Sequence, residues 1–226
     1  MMNLLKEVLA NQVYPAMGCT EPVSVALCAA YAAKALGQVP QKAVFKLGAG
    51  TYKNGMGVRI PNTEGEKGNL LAGAMGLLIA KPELNMEILS GADKEVLSQA
   101  KKMVNAHAVT AHVLPQAHGF YVECETQGAG GLTAKCVISG SHTHVTLLSV
   151  NGKVLQEDAP QENKPAGSAQ YKEALRKATL ADLLAAAQQA DAEDLAYIKK
   201  GVEMNLKAAE MGQALQKVGF YIKELV

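Results

Sequence analysis

Residues 14–36 constrain the fold more than any other part of this sequence. A polar bend at residues 18–22, with the sequence Gly-Cys-Thr-Glu-Pro, leads into residues 23–36, which are apolar on almost every side. A helix without a polar face has to be buried, so these residues predict a helix within the core. Thr20 suits the N-cap position of this helix, and Gly37 suits its end.

Cys19 comes directly before this predicted helix. The positive end of a helix favours negative charge, so a thiol in that position is expected to have a lowered pKa and to serve as a nucleophile or a metal ligand. The alternative is that Cys19 is only a small residue in a capped turn, because cysteine is often simply buried. The residues alone leave both interpretations open.

Charge and composition exclude several classes of partner. The 226 residues contain 22 Lys and Arg against 21 Asp and Glu, which gives no electrostatic reason to expect nucleic acid or an anionic membrane as a partner. Aromatic residues make up only 4%, too few for a site that stacks bases or sugars. The sequence has neither a secretory signal nor an apolar run of membrane-spanning length, so we expect a cytoplasmic chain with reduced cysteines.

Hydrophobic periodicity predicts an α+β fold. Residues 42–47 alternate as a strand does, and four further strand candidates lie within residues 109–150, followed by a hairpin at Asn151 and Gly152. Consecutive strands with short connections are typical of an antiparallel meander. We therefore expect a buried N-terminal helix, a mostly antiparallel sheet flanked by helices, and a helical C-terminal part.

The domain organisation follows from the polar, proline-containing residues 156–170, which predict a linker. Residues 1–155 are then an α+β domain, and residues 171–226 are a helical segment that packs on the same core. The helices of this segment are rich in alanine, which suggests exposed apolar surface and association with another copy or with a partner.

Residues 48–63 are dense in glycine but contain neither a P-loop nor a dinucleotide-binding fingerprint. Asn54 and Gly55 form a strong turn signal, which predicts a plain hairpin. The alternative is a loop whose backbone amides approach a small ligand, with Lys53 and Arg59 available for a carboxylate.

The remaining candidates for metal binding are weak. His142 and His144 flank Thr143, and two imidazoles on one side of a strand can bind zinc, but no third ligand is specified nearby. Three of the four cysteines are expected to be core or sheet residues, and they are Cys28, Cys124 and Cys136.

Four segments together resemble the L-cysteine desulfidase family, which is related to the alpha part of iron–sulfur L-serine dehydratases. The segments are residues 15–22, residues 53–58 together with Pro61, residues 140–144, and Met204 with Asn205. The resemblance covers nearly the whole chain. It departs from the family pattern at His144, where the family often has asparagine.

The resemblance implies a [4Fe–4S] cluster and the conversion of L-cysteine to pyruvate, sulfide and ammonia. Cys19 matches one cluster ligand, and the other ligands belong to a C-terminal half that these 226 residues do not include. The resemblance therefore implies the N-terminal half of an iron–sulfur lyase, which would pair with the missing half, with a second subunit or with another copy of itself. A decayed relative is a further alternative.

A β-elimination needs a base for the α-proton and groups that hold the amino acid. The candidates for the catalytic groups are Glu21 and His142, with Lys53 as a further base. The candidates for holding the substrate are Thr20, Lys53, Asn54 and Gly55.

Two other classes of function stay open. A non-catalytic module could bind an amino acid or a protein partner with the same glycine-rich segment. A hydrolase or transferase could use Cys19 as its nucleophile, provided that His142 lies within hydrogen-bond reach of the thiol.

Overall fold

The computed structural model describes residues 3–16, 18–117, 119–158 and 168–213. The chain divides into two compact units, Ala16–Asn163 and a second unit made of Met1–Pro15 together with Lys164–Val226. The chain passes from one unit to the other inside the predicted linker, of which residues 159–167 lie outside the described residues. The sequence predicts that residues 1–15 belong to one domain with the sheet, whereas in the structure they belong to the same compact unit as the C-terminal helices.

The elements confirm the predicted α+β class. In chain order the helices are α1 (Leu4–Gln12), α2 (Thr20–Leu36), α3 (Ala49–Met56), α4 (Asn69–Ile79), α5 (Lys94–Asn105), α6 (Ser168–Lys177), α7 (Leu180–Gln188) and α8 (Ala192–Gln213). The strands are β1 (Lys42–Leu47), β2 (Val109–Val113), β3 (Tyr121–Gln127), β4 (Thr133–Ser139), β5 (Val145–Val150) and β6 (Lys153–Glu157). Two 3-10 segments, Pro82–Gly91 and Ala129–Gly131, complete the set.

The six strands form one sheet in the order β2-β1-β3-β4-β5-β6. Strands β3 to β6 are successive antiparallel neighbours, and β1 joins them antiparallel to β3. Only β2 runs parallel to its neighbour β1, with Ala43 opposite Val109. The prediction of a mostly antiparallel sheet is confirmed, but β2 lies at the far edge rather than within the meander.

Helix α2 lies at the centre of the core of the Ala16–Asn163 unit, as predicted. Twelve of its 17 residues are buried, and it ends at Gly37, whose φ of 74° is in the left-handed region that favours glycine. It packs on one face of β3, β4 and β5 and on α4. The backbones of α2 and α4 approach so closely at Gly76 that an added Cβ would lie 2.1 Å from the carbonyl oxygen of Ala26.

The other face of the sheet carries a charge network around one buried carboxylate. Glu123 is only 4% exposed. Its carboxylate accepts hydrogen bonds from Lys46 Nζ at 2.7 Å and from the Tyr121 hydroxyl at 2.7 Å, and Lys135 Nζ lies 3.1 Å away. Burial alone would raise the pKa of this carboxyl, but the hydrogen bonds outweigh that effect and lower the pKa to about 2.

Residues 49–56 form helix α3, so the predicted hairpin at Asn54 and Gly55 is wrong. The cause is a tertiary contact. Asn69 Nδ2 donates to the carbonyl oxygens of Thr51 and Tyr52, each at 3.2 Å, and so links the start of α4 to the first half of α3. A Cβ at Gly55 would lie 1.8 Å from Asn69 Oδ1, so this glycine is needed for a close approach and not for a turn.

The second unit is built from α1, α6, α7 and α8. Within it Lys6 pairs with Asp191 at 2.8 Å and with Asp194 at 3.0 Å, and Gln12 donates to the hydroxyl of Tyr171. Helix α7 begins with a capping box between Thr179 and Asp182. No helix in the described ranges combines the length and the apolar character needed to cross a bilayer.

Candidate functional site

The candidate site lies at the polar bend before α2. Cys19, rather than the predicted Thr20, occupies the N-cap position, with extended backbone at φ −67° and ψ 132° and no side-chain hydrogen bond to the helix amides. Thr20 is the first residue of α2, and its hydroxyl lies 3.4 Å from Glu21 Oε2. The side chains at this end of α2 therefore bond to each other and leave the first amides of the helix without a side-chain cap.

Glu21 is the centre of this cluster, because both of its oxygens accept a hydrogen bond. Cys19 Sγ donates to Oε2 at 2.8 Å, and Asn54 Nδ2 donates to Oε1 at 3.0 Å. The hydrogen bond from Cys19 does most to lower the pKa of the Glu21 carboxyl; partial burial opposes it, and the hydrogen bond from Asn54 and the nearness of the His142 imidazole add to the lowering. The carboxylate is thus held ionised in a fixed orientation.

The pKa of the Cys19 thiol is raised, whereas the sequence predicts a lowered pKa. Burial raises the pKa of this thiol, and its hydrogen bond to Glu21 raises the pKa further. The predicted lowering was wrong because partial loss of water and a neighbouring carboxylate both disfavour the thiolate and outweigh the helix dipole. The raised pKa disfavours the thiolate of Cys19 and therefore does not favour its use as a nucleophile with His142.

The turn at residues 140–144 brings His142 to the same place. Ser24 Oγ donates to the carbonyl oxygen of His142 at 2.7 Å, and the imidazole ring packs against the ring of Phe120 with centroids 4.2 Å apart. Sequence reasoning missed both Ser24 and Phe120. The one signal for Ser24 is that a hydroxyl interrupts an otherwise apolar helix; Phe120 gave none.

The other residues predicted for the site make fewer contacts with the Cys19 cluster. Within the described part of the chain, Lys53 makes no hydrogen bond or ion pair with Cys19, Glu21 or Asn54. Gly55 is buried against Asn69 rather than open to a ligand. At the other end of the motif, a Cβ on Gly18 would lie 3.3 Å from Pro61, so the first two segments of the resemblance meet here a second time.

The fourth segment of the resemblance lies in the second unit. Asn205 is on α8, and its Nδ2 donates to the carbonyl oxygen of Gly201 at 2.8 Å. This is a bond to the preceding turn of the same helix, so it gives Asn205 a local role in the described residues.

A complete metal site does not form among the described residues. No three His, Cys, Asp or Glu side chains there are close enough to share an ion. Cys28, Cys124 and Cys136 are fully buried in the core. His142 and His144 lie between β4 and β5 rather than on one side of a strand, and His144 pairs with Asp158 at 3.2 Å. The described residues offer one accessible thiol, so they do not fit a [4Fe–4S] cluster held by this chain alone, which needs several thiolates.

A concavity of 440 Å³ lies elsewhere, over the open face of the sheet, and is lined in part by Lys42, Glu125, Lys135 and Ser149. Its acidic group is already paired, since Glu125 lies 3.2 Å from Lys135. It contains no thiol or imidazole, so we place the candidate chemistry at the Cys19 cluster instead.

The reactivity of Cys19 tests the coupling inside the cluster. In the variant Glu21→Gln the negative charge next to the thiol is lost, so the thiol pKa falls. Alkylation of Cys19 by iodoacetamide at pH 8 is expected to become about three- to tenfold faster. The rate is measured by mass spectrometry of the peptide that contains Cys19. The exposed Glu87→Gln removes the same charge at a distance and serves as control; equal rates in both variants would contradict the coupling.

No family model matches the chain. Over 225 residues it is 59% identical to a UPF0597 protein from Elusimicrobium minutum and 40% identical to one from Geobacter sulfurreducens, and each match covers 100% of this chain and 52% of the relative. A UPF0597 protein from Clostridium tetani is 31% identical over 92% of this chain and 48% of its own length. The chain thus spans about half the length of the curated relatives it matches, and over that half it is similar to UPF0597 proteins.

Proposed function

We propose that this chain contributes the Cys19 cluster to an iron–sulfur-dependent lyase that removes sulfide from L-cysteine by β-elimination, with L-serine as the related substrate. One observation carries the proposal. Cys19, Glu21, Asn54 and His142 come from three separate parts of the sequence and meet at the open end of α2. These are residues that the resemblance to L-cysteine desulfidases assigns to the site.

The geometry favours different roles for Glu21 and His142. A general base works best when its pKa lies near the working pH, and the lowered pKa of Glu21 makes it a weak base. Glu21 instead stays ionised, fixes the Cys19 thiol and presents negative charge to a substrate ammonium group. Proton abstraction is then the role of His142, because imidazole commonly serves as a general base and Ser24 holds its backbone in place.

Cys19 is the one described thiol that is accessible to a metal cluster. The other thiolates of a [4Fe–4S] cluster would come from outside the described residues, and the relatives contain about as much sequence again beyond the match.

A second candidate is a non-catalytic module that binds an amino acid or a protein partner. The observation that favours it is the same single accessible thiol, because a site without the remaining ligands can still hold a zwitterion between Glu21 and His142. Saturable binding of L-cysteine or L-serine without formation of pyruvate or sulfide, both in this chain and in a relative of full length, would support this candidate.

The deciding experiment is anaerobic reconstitution with iron and sulfide, followed by iron analysis, visible absorbance and an assay for pyruvate. We expect the Elusimicrobium minutum relative to hold about four irons per site and to turn over L-cysteine. Replacing the cysteine equivalent to Cys19 with alanine should abolish both absorbance and turnover. The equivalent of Cys28→Ala removes a thiol of the same helix and should preserve both. Absorbance and turnover that survive the first substitution would refute the proposal.

A further inference from the structure

Helix α8 carries an apolar surface much wider than a surface helix normally has. At 100° per residue, its apolar positions from Met211 to Leu206 cover an arc of about 220°, whereas an amphipathic helix needs a stripe little wider than about 100°. Five charged residues lie on the remaining arc, and they are Lys199, Lys200, Glu203, Lys207 and Glu210. Within the wide arc, Asn205 is the one polar position between the first and last turns, and Glu193, Asp194 and Gln213 are at the two ends of the helix. Such a pattern is typical of a helix enclosed by protein on more than one side.

The described structure leaves that surface exposed. Six large apolar side chains on the arc are between 39% and 66% exposed, and they are Leu195, Ile198, Val202, Met204, Leu206 and Met211. Among the described residues of the helical unit, Asp194 in the first turn lies buried against Lys6, and the hydroxyl of Tyr197 donates to the carbonyl oxygen of Val13. Together the six side chains expose several hundred Å², which approaches the roughly 800 Å² that each partner buries in a standard interface.

The width of the arc argues against pairing with one helix of a second copy. A coiled-coil partner covers a seam of two positions in every seven, so a single helix would leave more than half of the arc in water. At least two packing elements are needed to enclose it. The relatives from Elusimicrobium minutum and Geobacter sulfurreducens extend beyond the match by 48% of their own length, which is enough for a further domain.

We propose that α8 is a docking helix, and that its partner is the region of the UPF0597 proteins that lies outside the match with this chain. That region would present an apolar groove formed by at least two helices or strands. The helix would insert its 220° arc into the groove and leave Lys199, Glu203 and Lys207 at the polar rim. The proposal is independent of the reaction at the Cys19 cluster, because no residue of α8 belongs to that cluster.

Hydrogen exchange tests the docking directly. Amide exchange in α8 is measured in this chain and in the equivalent helix of the intact Elusimicrobium minutum relative. We expect exchange in residues 198–211 to be about 100-fold slower in the intact relative, because a docked helix opens only together with its surroundings. Equally fast exchange in both proteins would overturn the proposal.

Two double variants with the same change in net charge control the experiment. Val202→Glu with Leu206→Glu places two charges on the apolar arc, while Lys199→Gln with Lys207→Gln removes two positive charges from the polar arc. At the equivalent positions of the intact relative, the first pair should restore fast exchange and the second should not. If light scattering shows that this chain alone is a dimer, and Val202→Glu with Leu206→Glu dissolves it, a second copy covers α8 and the assigned partner is wrong.

Discussion

Replacing Gly76 with alanine is expected to destabilise the Ala16–Asn163 unit by about 3 kcal/mol or more, at the upper end of overpacking effects. The new Cβ would lie 2.1 Å from the carbonyl oxygen of Ala26 and 2.6 Å from its Cα. Both atoms belong to the backbone of α2, so no side chain can rotate away and the two helices have to separate. Urea unfolding followed by circular dichroism measures the loss.

Gly50→Ala is the matched control for this substitution. Gly50 is an exposed residue of α3, and nothing lies within 4 Å of a Cβ built there. Alanine in an open helical position reduces the entropy of the unfolded chain, so this variant should gain about 0.5–1 kcal/mol. The close packing of α2 on α4 would be contradicted if Gly76→Ala unfolds at the same urea concentration as the wild-type chain.

Glu123→Gln is expected to cost about 3 kcal/mol of the free energy of unfolding, because it leaves the ammonium groups of Lys46 and Lys135 beside a neutral amide. Glu125→Gln is the control. It contacts the same two lysines at 3.4 and 3.2 Å, but its side chain is 46% exposed, so its loss should cost less than about 1 kcal/mol. Equal losses in the two variants would show that burial of Glu123 does not strengthen the network.

The same carboxylate predicts how stability depends on pH. The pKa of Glu123 is lowered from 4.5 to about 2, so the folded state favours the ionised form. Its contribution to stability is complete above about pH 4.5 and is lost as the pH falls towards about 2. Unfolding free energies between pH 2 and pH 6 should therefore fall less steeply for Glu123→Gln than for the wild-type chain. Parallel curves would contradict the assigned pKa.

Local patterns predicted much of the fold. The unbroken apolar run of α2 identified it as a core helix, and the alternation in β1 gave that strand with its bounds of Lys42–Leu47. The predictions that failed concern contacts between segments that are distant in the sequence. Nothing near residues 109–113 indicates that β2 pairs with β1 in parallel, because that choice depends on where α4 and α5 carry the chain.

The local contacts of the candidate site could also be predicted, whereas its long-range contacts could not. Cys19 and Glu21 are two residues apart, so their meeting could be predicted from the bend before α2. The resemblance brought in Asn54 and His142, which the spacing alone could not. Ser24 and Asn69 remained hidden, because each acts through a backbone carbonyl of a distant segment whose position only the tertiary structure fixes.

The order of strands also sets an order of assembly. Strands β3 to β6 are joined by short connections and can pair as soon as they are synthesised, whereas β1 reaches β3 only across α3, α4, α5 and β2. Pairings between distant segments form slowly because the loop must close first. Cys124 and Cys136 lie directly opposite each other on β3 and β4, and α2 covers that face in the finished fold. The two thiols are therefore shielded from oxidants in the solvent only as long as α2 stays packed on this face of the sheet.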